Sequence, residues 1–309
     1  MANTSITTSF VGTGAMDFIS AAILEAKTIT GGYVQPITQI KKSYKLQIAS
    51  ADNLIQADGC SFNDQGTVTL SERSLTPVHL KVNHQECKTT LEAHWQSASM
   101  RPGALNSTLT PNYESWLAKQ MTDQVAIGID QLIWQGKISG STGIYLTKPF
   151  LTSIDGLITT AIADSNTLKV TGTTLTSGNI LAEVEKVYVK IPDTVLEKGN
   201  VKIFVPRSAL RLFQTAIPTT YTANSNFDIT KPQPVMYKGV ELVAVPLADN
   251  IMFAADPNNL FIGTDLTDDF MNYTVIDMSL TDGSDNIRFK MRFSLDTDYG
   301  ISSEVVVYS

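Results

Sequence analysis

Three histidines and one cysteine lie close together in the sequence, and their side chains are common ligands of zinc. His79, His84 and His94 fall within a span of sixteen residues, and Cys87 lies between the last two. A structural zinc site takes four such ligands, usually at CxxC or HxxxH spacings. No second element of either kind supplies the missing ligands, so a metal site at His84, Cys87 and His94 is the less favoured interpretation.

The local pattern around these residues predicts a packed helix face instead. Asn83 and Glu86 form a capping-box pair that would begin a helix over residues 84–95. On such a helix Leu91 and Trp95 share a face with the candidate ligands, which is typical of a buried face with polar tips. We therefore predict no bound metal.

Other motifs of catalysis or cofactor binding do not emerge from the sequence. No serine lies in a GxSxG elbow, and a catalytic triad would have to take its histidine from residues 79–94. The GxG at residues 12–14 has no preceding βαβ strand and no third glycine. Five aspartates could bind calcium but occupy places where aspartate favours turns and helix caps, namely Asp265, Asp268, Asp269, Asp282 and Asp285. We predict a protein that is not an enzyme, with no catalytic or cofactor-binding residues.

Composition favours a protein that makes large contacts with other proteins. Hydrophobic residues make up 43% of the 309 residues, enough for a real core, whereas charged residues make up only 17%, against about 25% in typical soluble domains. The net charge of −7, without a cluster of lysine and arginine, argues against a dedicated nucleic-acid binder. No signal peptide or apolar stretch of membrane-spanning length occurs, and two cysteines, Cys60 and Cys87, are too few for a disulfide framework. We expect a soluble, unsecreted protein with reduced thiols and no membrane contact.

The longest uninterrupted helical pattern runs over residues 111–135. Thr110 can cap its first turn, Pro111 suits the first helical position, and Gly136 can adopt the left-handed conformation that ends a helix. Apolar residues recur on one face and on a second flank, so we predict a helix with two neighbours. The side chains expected to pack are Trp116, Leu117, Met121, Val125, Leu132 and Trp134.

The elements that surround this helix are predicted to form an α+β protein. Residues 15–27 suggest a short helix in an N-terminal arm, and residues 41–49 and 67–80 suggest two strands of a long hairpin. Further helices are predicted over 154–163, 179–190 (capped by Thr176 or Ser177) and 207–216, and further strands over 201–206, 239–246, 250–254 and 273–280. In the last strand region, Ile287, Phe289, Met291, Phe293 and Leu295 alternate with Arg288, Lys290, Arg292 and Ser294, which predicts one buried and one basic face.

This order of elements resembles the major capsid proteins of tailed bacteriophages, which have the Hong Kong 97-type fold. Several runs agree with the resemblance: SIDGLI at 153–158, YKGVELV at 237–243, PLAD at 246–249, LFIGTDL at 260–266, and the strand at 288–295. The resemblance implies an N-terminal arm at 1–40, an extended β-hairpin loop at 41–82, a peripheral domain at 83–150 with the spine helix at 111–135, an axial domain at 151–268, and terminal strands at 269–309 that return to the peripheral and axial sheet.

What the resemblance implies is a structural protein of the virion. Such a subunit assembles in the host cytoplasm into hexamers and pentamers of an icosahedral shell that encloses double-stranded DNA, and its extended loop lies across a neighbour. The chain begins almost directly at the arm, so a scaffolding protein is expected to be separate, together with a portal. Contact with packaged DNA is expected to be loose and non-specific, and no crosslinking residues of the family can be matched here.

Two other functions stay open at the level of the sequence. The first keeps the fold but makes the chain the shell of a cellular nanocompartment. The second is a β-rich binding or adhesion domain, which the threonine-rich strands favour but the long helix does not.

Overall fold

A computed structural model describes residues 27–52, 55, 58, 60, 66–87, 111–138, 148–220, 235–265 and 273–309. The chain divides into two compact units. The described parts of unit 1 lie within His79–Ile129 and Leu266–Ser294, and unit 2 comprises Lys27–Val78, Asp130–Asp265 and Leu295–Ser309. The predicted helix at 15–27 falls outside the described residues apart from Lys27.

The described chain contains both α-helices and β-strands, and the two alternate mainly between residues 157 and 220. The helices are α1 (Lys27–Thr30), α2 (Pro111–Gln135), α3 (Leu157–Ala163), α4 (Ile180–Lys190), α5 (Asp193–Glu197) and α6 (Arg207–Thr220). The strands are β1 (Gln35–Ile37), β2 (Tyr44–Asp52), β3 (Thr67–Leu75), β4 (Val78–Cys87), β5 (Leu168–Val170), β6 (Lys202–Val205), β7 (Val235–Tyr237), β8 (Val240–Ala244), β9 (Met252–Ala255), β10 (Leu260–Gly263), β11 (Tyr273–Asp277), β12 (Asn286–Tyr299) and β13 (Val306–Tyr308).

Unit 2 is built on a six-stranded mixed sheet with the order β5-β13-β9-β6-β8-β7. β6 pairs parallel with β8 and antiparallel with β9, and β13 pairs parallel with β5. All four side chains of β9 are buried because both faces of the sheet are covered. On one face, Val184 and Val187 of α4 and Phe213 of α6 share a core with the side chains of β6, β8, β9 and β13 that point toward them.

The other face of this sheet is covered by the end of α2. The Trp134 ring lies 4.7 Å from the Phe204 ring and 5.7 Å from the Phe253 ring, and its Nε1 donates a hydrogen bond of 2.8 Å to Thr28 Oγ1. Asp130 accepts hydrogen bonds of 3.1 Å from the backbone amides of Lys27 and Thr28, which joins α1 to α2. Burial raises the pKa of the Asp130 carboxyl, although these amides oppose the effect.

Gly136 ends α2 as predicted, but its conformation differs from the prediction. Its φ is not among the positive values of the described glycines, so it is not the left-handed residue that was expected. A Cβ at this position would lie 2.6 Å from the carbonyl oxygen of Ile154 and 2.7 Å from that of Leu132. Glycine is needed here because two backbone segments approach closely: the amide of Gly156 donates a hydrogen bond of 2.8 Å to the Gly136 carbonyl.

The part of β12 up to Ser294 belongs to unit 1, where β12 has two partner strands. It pairs antiparallel with β11 from Ile287 to Met291, and it also pairs with β4. The predicted alternation is present: Ile287, Phe289, Met291 and Phe293 are buried, while Arg288, Lys290 and Arg292 are exposed. Ser294 departs from the pattern because it is buried as well.

The helix predicted over 84–95 is wrong for its first residues, since 84–87 continue strand β4. The capping-box pattern at Asn83 and Glu86 is a local signal, whereas the pairing of β4 with β12 satisfies the backbone of a whole strand. Residues 88–95 fall outside the described residues. Two smaller predictions also change: Thr76 and Pro77 separate β3 from β4, and α4 is preceded by Asn179 as its N-terminal cap residue in place of Thr176 or Ser177.

Candidate functional site: the β2–β3 hairpin and its root

The β2–β3 hairpin is a two-stranded ribbon that has a core only at its base. The strands pair antiparallel from Tyr44↔Leu75 to Asp52↔Thr67 with nine residue pairs. Leu46 and Leu75 are buried at the base, where they form a small cluster with Ile40. A hairpin of two strands is marginally stable in water without further support, so the base must hold the ribbon in place.

One arginine at the base makes several polar contacts with distant parts of the chain. The Arg73 guanidinium forms ion pairs with Asp164 and Asp298, the second at 2.9 Å, and donates a hydrogen bond of 2.7 Å to Ser302 Oγ. The guanidinium carbon also lies 4.2 Å from the centre of the Tyr299 ring. A planar, multidentate cation suits this position, because it contacts two carboxylates and an aromatic face together. We call Arg73, Asp164, Asp298, Tyr299 and Ser302 the root cluster.

The two carboxylates of the root cluster have opposite pKa shifts. Burial would raise the pKa of Asp164, but hydrogen bonds from the Asn166 amide and from the Ser302 and Tyr299 hydroxyls, with the charge of Arg73, lower it below its usual value. Burial raises the pKa of Asp298 in spite of its contact with Arg73. Burial also raises the pKa of the Tyr299 hydroxyl, which donates a hydrogen bond of 3.0 Å to Asp164. The cluster is a fully hydrogen-bonded polar network, the kind that fixes a unique geometry.

Further polar contacts lie next to the root cluster. The Thr76 amide donates a hydrogen bond of 2.5 Å to Asp296, and Lys41 forms an ion pair of 2.6 Å with Asp265. Gly263 faces the base, where an added Cβ would lie 3.0 Å from Ile40 and 3.3 Å from Leu75. The base of the hairpin is therefore packed closely against β10 and β12.

The hairpin beyond its base exposes apolar side chains. Val68 is 61% exposed and Leu70 is 77% exposed, and the two lie on one face because they are two residues apart. Ala49 is opposite Leu70 in the register, so it shares that face. Ile55 is 97% exposed. Val68, Leu70 and Ile55 thus leave apolar surface in contact with solvent in the isolated chain.

The structure gives partial information on the residues that were predicted to pack on the long helix. Leu132 and Trp134 are buried, and Met121 and Val125 are half-buried. Trp116 and Leu117 lie in α2, but their side chains fall outside the described residues. Their joint role in packing stays a prediction, as do the predicted domain boundaries.

Of the candidate metal-binding residues, His84 and Cys87 lie on strand β4, whereas Asp282 lies in a turn. His84 and Cys87 are three residues apart on a strand, so their side chains point to opposite faces, and His94 lies outside the described residues. Asp282 accepts hydrogen bonds from the amide and hydroxyl of Ser284, as expected of a turn residue. Within the described ranges, no group of three or more histidine, cysteine or acidic side chains could hold a metal ion. In the same ranges, no helix is both long enough and apolar enough to cross a membrane.

The root cluster was not found by sequence reasoning. Arg73 lies 91 residues from Asp164 and 225 residues from Asp298 in the chain. The only sequence signal is an arginine in the middle of the strand predicted over 67–80, and arginine is common on exposed strands. Nothing local to Arg73 identifies its partners.

Comparison with known proteins identifies the fold. No protein-family model matches the chain, and no curated protein matches it in sequence. Several solved structures are similar to the chain. The satellite phage P4 procapsid including size determination (Sid) protein has a TM-score of 0.62 and 11% sequence identity, and the match covers 96% of this chain and 94% of the other. The Gordonia phage Cozz structure has a TM-score of 0.58, 12% identity and coverages of 95% and 89%, and the capsid of Myoviridae phage XM1 has a TM-score of 0.53, 13% identity and coverages of 94% and 94%. The predicted α+β Hong Kong 97-type capsid fold is thus confirmed, and the sequence resemblance is confirmed at the level of the fold.

Proposed function

We propose that this chain is the major capsid protein of a tailed bacteriophage, a structural subunit without enzymatic activity that assembles into a closed shell. The observation that carries the proposal is a ribbon held firmly at its base and exposing Val68 and Leu70 beyond it, in a chain with the fold of phage capsid proteins. A fold alone does not fix a function. The exposed hairpin supports the proposal, because contact with a neighbouring subunit would bury its apolar side chains.

The hairpin is proposed to lie across a neighbouring subunit. Burying apolar surface is worth about 25 cal/mol for each Å² removed from water, so Val68 and Leu70 would contribute to association without stabilising the isolated subunit. A shell of hexamers and pentamers places one subunit in non-identical surroundings, which requires a rigid body with an extension that adjusts. Unit 2 with its buried sheet supplies such a body, and the distal hairpin supplies the extension.

The partners and location follow from the same proposal. The chain would form hexamers and pentamers in the virion capsid after assembly in the host cytoplasm, with a separate scaffolding protein and a portal. The satellite phage P4 procapsid, a structural neighbour, contains a size determination protein, which supports the idea of a further assembly partner. The shell would enclose double-stranded DNA and contact it without reading its sequence, as an acidic chain allows.

The test is electron microscopy of the purified chain together with its mass by light scattering, at low and moderate salt. Closed shells, hexamers or curved sheets are expected. Shells that contain a co-purified enzyme in place of DNA would make the chain a nanocompartment shell instead. A stable monomer under every condition, including with scaffolding protein from the same source, would contradict the proposal and favour a binding domain.

A shortened hairpin makes the test specific. Residues 53–66 are replaced by Asn-Gly, which suits a two-residue turn between the paired residues Asp52 and Thr67. The variant is expected to remain folded but to lose assembly, because the hairpin no longer reaches its neighbour. A matched control replaces the same residues with a glycine-serine linker of equal length. This variant keeps the length of the loop but removes its side-chain contacts. Shells formed by the shortened variant as readily as by the wild type would refute the role of the hairpin.

A further inference from the structure

A row of exposed cations runs along β12 in unit 1. Arg288, Lys290 and Arg292 are exposed and alternate with buried apolar residues. Because successive side chains of a strand alternate between faces, these three point to the same side, with a spacing of roughly 7 Å between neighbours. The chain as a whole has a net charge of −7, so this face has the opposite sign from the average surface.

The strands beside β12 extend this face with polar groups. Arg288 Nε donates a hydrogen bond of 2.8 Å to Gln85 Oε1, which places Gln85 of β4 on the same side. Asn83 and Lys81 alternate with half-buried residues of β4 and share the side of Gln85. On β11, Thr274 is opposite Lys290 and is exposed. We call Lys81, Asn83, Gln85, Thr274, Arg288, Lys290 and Arg292 the basic face.

Few carboxylates oppose these cations. Asp282 lies 3.9 Å from Arg288, and Asp285 is exposed in the same turn, so acidic groups border one end of the basic face. Among the described residues, no carboxylate lies within ion-pair distance of Lys290 or Arg292. The centre of the basic face is therefore electropositive.

We propose that the basic face binds the sugar-phosphate backbone of double-stranded DNA. This inference rests on the proposed capsid function, because the DNA would be the genome that the shell encloses. Each strand of the duplex carries a phosphate about every 3.4 Å along the helix axis, so a row of three cations about 7 Å apart spans a length of duplex that carries several phosphates. Lysine, arginine, threonine, asparagine and glutamine are the side chains that contact phosphates. Binding of this kind reads no base sequence.

An acidic protein segment fits the same charge less well. Protein interfaces usually depend on apolar or aromatic anchors seated in pockets. Apart from Ile276, which is 37% exposed opposite Arg288, the described part of the basic face offers only polar and charged side chains. A flat, polar and cationic sheet favours the phosphate backbone.

The experiment measures binding of the purified full-length chain to a short DNA duplex by fluorescence anisotropy, between about 50 and 200 mM salt. The variant Arg288→Gln, Lys290→Gln, Arg292→Gln is expected to lower the slope of log K against log salt by about 2.7, because each lost phosphate contact removes about 0.9. The single variant Lys290→Gln, a smaller change to the fold, is expected to lower it by about 0.9. The matched control Lys190→Gln, Arg207→Gln, Arg211→Gln removes the same charge from exposed positions on α4 and α6 and is expected to leave the slope unchanged.

The outcomes separate this proposal from the capsid proposal. An unchanged slope in both test variants, or an equal loss in the control, would overturn the basic face as the DNA site. Binding of the same variants to poly-glutamate, a model of an acidic protein segment, is measured as well. If the triple variant kept its DNA binding but lost its binding of poly-glutamate, the basic face would be assigned to an acidic protein partner and not to DNA. Wild-type chain that binds DNA through this face but never forms shells would contradict the capsid proposal while supporting the surface assignment. Shells assembled from the triple variant that retain as much DNA as wild-type shells would overturn only the surface assignment.

Discussion

The six-stranded sheet and the β2–β3 hairpin belong to the same unit but are stabilised in different ways. In the sheet, β9 and β13 are buried along their full length and helices cover both faces. In the hairpin, eight of the nine residues of β3 are at least partly exposed, and only Leu75 is buried. The difference indicates that the sheet provides most of the buried core, whereas the hairpin leaves most of the side chains of β3 exposed.

The first prediction tests the sheet, where the largest effect is expected. Trp134→Ala should lower the free energy of unfolding by about 3 to 5 kcal/mol, because it leaves a cavity between the rings of Phe204 and Phe253. It also removes the donor to Thr28 Oγ1. Urea denaturation followed by circular dichroism measures the change.

Val189→Ala is the control for this prediction. Val189 is 70% exposed on α4, so the same kind of truncation should change the free energy of unfolding by less than about 0.5 kcal/mol. Similar values for the two variants would contradict the view that the sheet core dominates stability.

The second prediction concerns the root cluster, which joins the hairpin to the unit and should show an intermediate effect. Asp164 has a lowered pKa in the folded state, so its ionised form contributes stability above its unfolded pKa of about 4 and loses it as the pH falls through the folded value. Asp164→Asn should therefore cost about 2 kcal/mol at neutral pH, and the difference from wild type should shrink below about pH 4. Urea denaturation at a series of pH values measures that difference.

The prediction concerns the difference in the free energy of unfolding between variant and wild type, because Asp298 changes the pH dependence of both proteins in the opposite direction. Its raised pKa means that the folded state takes up a proton before the unfolded state does, so its contribution to stability increases as the pH falls. Asp285→Asn, an exposed change in a turn, is the control and should change the free energy of unfolding at neutral pH by less than about 0.5 kcal/mol. A cost for Asp164→Asn that is the same at pH 7 and below pH 4 would rule out the charge of Asp164 as the source of its contribution.

The sequence predicts the sheet better than it predicts the hairpin root, and the reason is physical. Helices α4 and α6, which cover the sheet, have strong periodic patterns because each buries one face along its described side chains. Strand β12 of the other sheet has one for the same reason. Arg73 and its carboxylates have no pattern, because their contacts depend on how distant segments meet. The helix prediction at 84–87 is wrong for a related reason. The capping signal is local, whereas the pairing of β4 with β12 depends on residues that are distant in the sequence.

Glycine positions show the same limit. Gly136 was correctly predicted to end α2, because glycine commonly does so. The actual reason is the approach of the chain at Ile154 and Gly156, which lie about twenty residues further along. A sequence pattern gives the place of such a residue but not the contact that requires it.

The third prediction tests the distal hairpin, where the smallest effect on folding and a large effect on assembly are expected. Val68→Thr with Leu70→Thr keeps residues suited to strands and changes only exposed side chains, so the free energy of unfolding should stay within about 0.5 kcal/mol of wild type. Assembly measured by light scattering should require a higher protein concentration, because apolar area buried in the contact is lost. Thr67→Ser with Thr69→Ser, on the opposite face of β3, is the control and should assemble as wild type does. If the double threonine variant assembled normally but were strongly destabilised, the hairpin would belong to the folding core, and the contrast between the two regions would be wrong.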